Sequence, residues 1–260
     1  MTTVKHFQFG TPIETGAVIR NVPVAGSRIS GWVQDEAQGT LCRDLSEDEI
    51  VYGLGESVRG MNKRGWIYES NNSDDPNHTE DKHSLYASQN FFLIFSRQHS
   101  YGMFVDTPGK VSFDIGYSKM DQMKISLDDF VANVYTIEGE NPTEVIRSFH
   151  DLIGKSYIPP KWAFGYGQSR WSYMNEQEVL EVVRSYRDAG IPIDSVYLDI
   201  DYMDHYKDFT INNEAFPDFD RFTRQMKEQG IHLVPIIDAG VKIEKGYDVY
   251  EEGVQIQYFC

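Results

Sequence analysis

The chain has 260 residues, 40% of them hydrophobic and 13% aromatic, which excludes a disordered or collagen-like chain and suits one large domain or two ordinary ones. Lys plus Arg is 24 and Asp plus Glu is 40, a formal charge of −16 that repels phosphate backbones and argues against nucleic acid or an anionic membrane as partner. Cys42 and Cys260 are too few for a disulfide framework. No CxxC zinc spacing occurs, no charged segment leads into an apolar stretch at the N-terminus, and the run FFLIF (91–95) is far too short to span a bilayer, so a reduced cytoplasmic protein is the expectation.

Residues 1 to about 140 read as β. Apolar and aromatic runs recur at roughly 8–13-residue spacing between turn signals, as in a sandwich. They are IVYGLG (50–55), GWIYES (65–70), NFFLIFS (90–96), YGMFVDT (101–107), KVSFDIG (110–116), MKISL (123–127) and ANVYTIEG (132–139). KVSFDI alternates polar and apolar residues, as a half-buried strand should. Asn141-Pro142 supplies an N-cap and a first-turn proline. Val145, Ile146, Phe149, Leu152 and Ile153 follow at helical spacing, and Gly154 can close the helix. YIPPKW (157–162) reads as a stiff extended linker. The expected domains are therefore 1–140, a helix and linker at 141–160, and 161–260.

A β/α rhythm then begins. WAFGYGQS (162–169) reads as a strand covered on both faces. Asn175 with Glu178 resembles a capping box, Val179, Val183 and Tyr186 share a helix face, and Gly190 ends that helix. IPIDSVYLDI (191–200) is the next strand. PDFDRFTRQMKEQG (217–230) is an amphipathic helix with Phe219, Phe222 and Met226 inward, and IHLVPIID (231–238) is the third strand. Helix–Gly–Ile–strand–Asp thus occurs twice, with Asp199 and Asp238 at matching ends. Repeated βα units imply a parallel sheet, either doubly wound or a TIM barrel. No glycine-rich phosphate loop follows the first strand. Acid at strand C-termini suits a barrel, whose strand ends line the active-site face.

Asp199 and Asp201 lie two apart, so on a strand they would point the same way. Asp199 reads as a ligand-binding group ahead of a turn cap; for Asp201 and Asp238 the two readings are even. Asp199, Asp201, Asp204, His205 and Asp208 could also be read as a metal site, but the spacing matches no EF-hand or HExxH pattern, and no metal or other cofactor is expected. Trp171 follows the first strand, where an aromatic side chain can stack on a flat ligand face. The polar stretch NNSDDPNHTEDKH (71–83) reads on its own as a solvated turn.

Several of these stretches together resemble glycoside hydrolase family 31, the α-glucosidase family, in its bacterial intracellular form. They are YGLGE (52–56), the NSDDP loop, PPKWAFGYGQSRWSY (159–173), YLDIDYM (197–203), FPDF (216–219) and PIIDAGVK (235–242). LDIDYM departs slightly from the commoner NDIDYM. The resemblance implies an N-terminal β-sandwich followed by a (β/α)8 TIM barrel, with a sandwich loop helping to form the sugar pocket. It implies that Asp75 or Asp74 hydrogen-bonds the sugar and that Asp199 grips the O4 and O6 hydroxyls of the non-reducing glucose. Ile200 and Ile236 would be pocket wall, and Trp171 would lie near the next sugar. Retaining glycosidases use two carboxyl groups, one nucleophile and one acid/base. In this family both are aspartates on later barrel strands, the nucleophile in a W-x-D-M-N-E-like stretch that residues 1–260 lack. The expected picture is the N-terminal portion of a retaining exo-α-glucosidase, with an incomplete barrel, inactive by itself and with its catalytic aspartates beyond Cys260. An α-xylosidase, a transglycosylase or a non-catalytic carbohydrate-binding protein are the alternatives. The expected partner is a small oligosaccharide, with a homo-oligomer allowed.

Overall fold

The computed structural model describes residues 2–259. The chain forms two compact units, residues 1–156 and 157–260.

Among its described residues the first unit contains eleven strands: β1 Thr3–Phe9, β2 Val24–Gly26, β3 Val33–Asp35, β4 Thr40–Asp44, β5 Ile50–Gly55, β6 Trp66–Ser70, β7 Ser88–Phe95, β8 Ser100–Asp106, β9 Val111–Ile115, β10 Gln122–Leu127 and β11 Ala132–Gly139. They build a six-stranded sheet, β2-β1-β11-β8-β7-β5, and a five-stranded sheet, β3-β4-β10-β9-β6. Every pair is antiparallel except β1 with β2. Residues of both sheets share one core. Phe92 of β7 meets Phe113 of β9 edge-on, with ring centroids 6.0 Å apart.

The run FFLIF is apolar on both sides because β7 is covered on both faces. Phe92 and Ile94 face the core between the sheets, while Phe91 and Leu93 face helix α1, Pro142–Ile153. The Phe91 and Phe149 rings stack at 3.8 Å and 7°. Asn141 caps α1 as its sequence indicates, its side chain accepting from the Glu144 N–H at 3.1 Å. Cys42 of β4 is a free, half-buried thiol; Cys260 lies outside the described residues.

The second unit holds a parallel sheet of three strands, β12 Gly167–Gln168, β13 Ser195–Leu198 and β14 His232–Pro235. Helices α2 Glu176–Asp188 and α3 Phe219–Glu228 supply Val179, Val183, Phe222 and Met226 to one core with Val196 and Leu198 of β13. The helix–Gly–Ile repeat has a physical basis. Gly190 and Gly230 take φ of +68° and +72°, a region costly for any residue with a Cβ. The next N–H, of Ile191 or Ile231, then returns 2.9 Å to the carbonyl of Tyr186 or Met226. Both helices therefore end in the same Schellman turn, and each turn launches a strand.

Two expectations need correction. WAFGYGQS is not a doubly covered strand: Lys161–Phe164 form a 3₁₀ turn, β12 has two residues, and Ala163 to Gly167 are exposed. Pro160 caps that turn, and its fixed φ leads the chain straight into it. Strand β13 also stops at Leu198, before the acids. Helix α4, Asp248–Gln255, completes the unit. No helix among the described residues is long and apolar enough to cross a membrane.

Candidate active site

The C-terminal ends of β13 and β14 lie side by side, with Leu198 paired to Pro235 and the Ile236 N–H donating to the Leu198 carbonyl at 3.0 Å. Asp199 follows directly and is partly exposed. It is the N-cap of a 3₁₀ turn, Ile200–Tyr202, and its Oδ1 accepts from the Ile200 N–H at 2.7 Å. One carboxylate oxygen is thus spent on holding the turn. A carboxylate has two oxygens and about four acceptor sites, so capping leaves capacity for ligand hydroxyls.

Asp199 and Asp201 do not share a strand face as predicted, because Asp201 sits within the 3₁₀ turn. Asp201 instead lines a cleft of about 670 Å³ with Met174, Met203, Asp204, Tyr206 and Asn212. Ile200 and Ile236 are half-buried at the strand ends, while Asp238 is exposed in the following loop, where its carbonyl accepts from Gly240 N–H at 2.5 Å. Trp171 is 80% exposed, so packing in a core does not account for it.

The loops after β13 and β14 are tied together. Buried Tyr202 donates its hydroxyl to the Ile236 carbonyl at 2.9 Å. Lys242 Nζ donates to the His205 carbonyl at 3.0 Å, and the Tyr247 hydroxyl to the Asp208 carbonyl at 2.7 Å. These ties hold a backbone that would otherwise relax: His205, Tyr206 and Phe209 all have φ between 52° and 63°. Non-glycine residues there cost energy and persist only when their surroundings over-determine them. Sequence reasoning missed Tyr202, Lys242 and Tyr247, because their partners lie more than thirty positions away.

The acids beyond Asp201 belong to this scaffold. Asp204 bonds Lys207 at 2.8 Å and His205 at 2.5 Å, and Lys207 first, then His205, hold its carboxyl below the usual range. Burial, and then the Asp208 charge, raise the Tyr202 and Tyr247 hydroxyls. Among the described residues no group of three His, Cys, Asp or Glu is placed to hold a metal ion.

In the first unit, the loop between β6 and β7 carries Asp74 and Asp75. Asp75 accepts from the Asn77 N–H at 2.9 Å and pairs with Lys82. The Lys82 bond, then the Asn77 N–H, keep its carboxyl below the usual range. Asp74 is exposed and lies against the Tyr86 hydroxyl, whose pKa it raises. The loop base is pinned by Arg59, a residue the sequence did not single out. Arg59 is 7% exposed, and its Nη1 donates to the Ile67 carbonyl at 2.6 Å and its Nε to the Glu80 carbonyl. Its guanidinium lies 4.2 Å from the Trp66 ring centroid.

Comparison with known proteins agrees with this arrangement of units. Residues 28–114 match the glycosyl hydrolase 31 N-terminal galactose mutarotase-like domain, and residues 156–260 match the glycosyl hydrolases family 31 TIM-barrel domain. The chain is similar to Alpha-glucosidase 2 of Bacillus thermoamyloliquefaciens, at 36% identity over 226 residues, covering 86% of this chain and 29% of that protein. It is also similar to the Alpha-xylosidase of Emericella nidulans, at 29% identity over 84% of this chain and 29% of that one. Among solved structures, the Flavobacterium johnsoniae GH31 dextranase complexed with glucose superposes with a TM-score of 0.75 and 27% identity, covering 88% of this chain and 28% of that one. The chain thus spans less than a third of the length of these relatives. Two consecutive domain matches of one family, in the same order as the two structural units, lead to one conclusion: this chain belongs to glycoside hydrolase family 31.

Proposed function

We propose that the whole protein is a retaining exo-α-glucosidase that removes non-reducing terminal glucose from short α-linked oligosaccharides. The observation that carries this reading is Asp199, a partly exposed carboxylate directly after a parallel strand, in LDIDYM, with spare acceptor capacity. Charge-assisted hydrogen bonds from carboxylate to sugar hydroxyls are the strong kind, and a second contact on the hydroxymethyl group favours glucose over xylose. Ile200 and Ile236 would form apolar wall beside it, and Asp238 and Trp171 would meet more distant parts of the substrate. Asp74 and Asp75 are assigned a sugar contact by the resemblance alone; Asp75 is already engaged by Lys82 and Asn77.

The nucleophile and the acid/base are proposed to be aspartates beyond residue 260, splitting the reaction into glycosylation and hydrolysis. Carboxylates suffice for both steps, so the reaction needs no cofactor. The protein is further proposed to work in the cytoplasm. The second reading is an α-xylosidase, given the relative of that name.

The test compares kcat/KM of the full-length protein on p-nitrophenyl α-glucoside and α-xyloside, with the anomer of the first product read by NMR. The proposal requires preference for glucoside and an α-product. Xyloside preference establishes the second reading, and a β-product removes the retaining mechanism. Residues 1–260 alone are expected to show no turnover; maltose hydrolysis by them would put the catalytic pair inside this chain.

A further inference from the structure

A cleft of about 780 Å³ in the first unit lies at one end of its two sheets. Its walls come from the start of β8, the end of β11, the end of β4 and the turn before β3. It is not at the polar 71–83 loop. That loop enters β7 at Ser88, whereas the cleft lies by the β7–β8 turn, where Phe95 pairs with Ser100. Seven residue-to-residue steps along β7 separate the two ends, about 24 Å at 3.4 Å per step.

The cleft is built on a charged cluster rather than on loose surface groups. Glu49, 2% exposed, accepts from Arg43 Nη2 at 2.7 Å and lies 3.4 Å from His99 Nε2 through Oε1, and accepts from the Ser46 N–H at 3.0 Å through Oε2. His99 Nδ1 in turn meets Ser96 Oγ at 3.1 Å. This network fixes Arg43 and His99 in the wall. A guanidinium has five N–H donors, and the bond to Glu49 engages only Nη2. Trp32 and Tyr101 supply an aromatic wall, and Ser30 and Gln98 add neutral polar groups at the mouth. The Ser100 hydroxyl is buried beside the cleft and makes no hydrogen bond to any described residue.

The chemistry selects the ligand class. Fixed donors, hydroxyl and amide groups and aromatic rings together match a polyhydroxylated molecule. Asp44 and Glu138 on the rim disfavour an anion. The volume falls within the range of small-molecule sites, ~300–1,000 Å³. We propose that this cleft is a second binding site, for a neutral mono- or disaccharide, built from residues of the first unit alone. The inference does not depend on the catalytic reading.

The experiment is calorimetric titration of the 260-residue chain, or of the full-length protein, with glucose, maltose and glucose 6-phosphate. Asp199→Ala takes away the carboxylate that carries the proposed sugar contact of the second unit. Ser30→Trp and Gln98→Trp each place a large ring at the cleft mouth from an exposed position and leave the Glu49 network intact, and thermal melts identify whichever variant folds. The expected result is saturable glucose or maltose binding that survives Asp199→Ala and weakens at least ~10-fold, about 1.4 kcal/mol, in the folded tryptophan variant. Three results would each overturn the proposal: no binding by the Asp199→Ala protein, binding indifferent to the tryptophans, or tighter binding of the phosphorylated sugar.

Discussion

The Tyr202 hydroxyl lies 2.9 Å from the Ile236 carbonyl oxygen and donates to it, joining the turn after β13 to the residue after β14. Tyr202 is 5% exposed, so its partner cannot readily be replaced by water. Tyr202→Phe keeps the ring and removes only the donor. It should cost roughly 0.5–1.5 kcal/mol, the net worth of a typical intramolecular hydrogen bond whose half-buried acceptor can still reach water. Urea denaturation of the second unit measures this. A change below a few tenths would mean that the two loops are held by Lys242 and Tyr247 alone.

Arg59 makes the corresponding tie in the first unit. It bonds the carbonyls of Ile67 and Glu80 and lies over Trp66 and Tyr68. Arg59→Lys keeps the charge but loses the planar fork and the stacking surface. The 71–83 loop should then be cut faster by protease, with cleavage sites confined to that loop. Unchanged cleavage would show that the Asp75–Lys82 pair and the backbone bonds from Glu69 and Ser73 are enough.

Asp75 gives the loop a pH dependence of defined sign. Its folded pKa lies below the ordinary value of 3.8, chiefly through Lys82. A depressed carboxylate adds stability above its unfolded pKa and loses it as pH falls through the folded pKa. Amide exchange in the loop, corrected for intrinsic rates, should therefore be flat from neutral pH to about 4 and rise only below 3.8. In Asp75→Asn the loop should be loose across the whole range. A rise already complete well above pH 4 would show that Asp75 is not the controlling group.

How much of this was legible in the sequence differs by element. Strands β5 to β11 and helices α1 to α3 were readable because their own periodicity and caps specify them; Asn141, Asn175 and Asp218 each cap the helix that follows. The β3 and β4 strands carry little apolar periodicity and are held mainly by pairing with each other and with β10. WAFGYGQS misled because small and apolar residues read as strand, whereas Gly165 and Gly167 serve close approach: a Cβ there would clash with the Asp194 side chain and with those of Tyr197 and Ser195. Asp199 was legible as a strand-end acid. Its alternation with Asp201 was not, because alternation holds only while the strand lasts. Tyr202, Arg59 and the Glu49 network act through partners distant in sequence, and single-residue patterns carry no trace of such bonds.

Trp171 separates leaving-sugar contact from general packing. Its 80% exposure means that Trp171→Tyr should hardly change stability. Under the proposed function it should reorder kcat/KM among maltose, isomaltose and nigerose more than it changes hydrolysis of an aryl glucoside. An equal loss on every substrate would place its effect on the glucose shared by all of them.

Asp199 combines two jobs, and two substitutions divide them. Its Oδ1 caps the Ile200 N–H, so Asp199→Ala removes both cap and charge. Loss of a cap costs ~0.5–2 kcal/mol of stability. Asp199→Asn retains a side-chain carbonyl for the cap but no charge, so its melting temperature should stay near that of the wild type. A charged hydrogen bond to a substrate hydroxyl is worth roughly 1.5–3 kcal/mol, so full-length Asp199→Asn should lose about 10- to 100-fold in kcat/KM for p-nitrophenyl α-glucoside. Asp199→Ala should lose at least as much and also melt earlier. If Asp199→Asn keeps nearly full activity while Asp199→Ala is both unstable and slow, the carboxylate is only a cap. The gripping role would then pass to Asp201, the other acid of LDIDYM, which already faces a cleft.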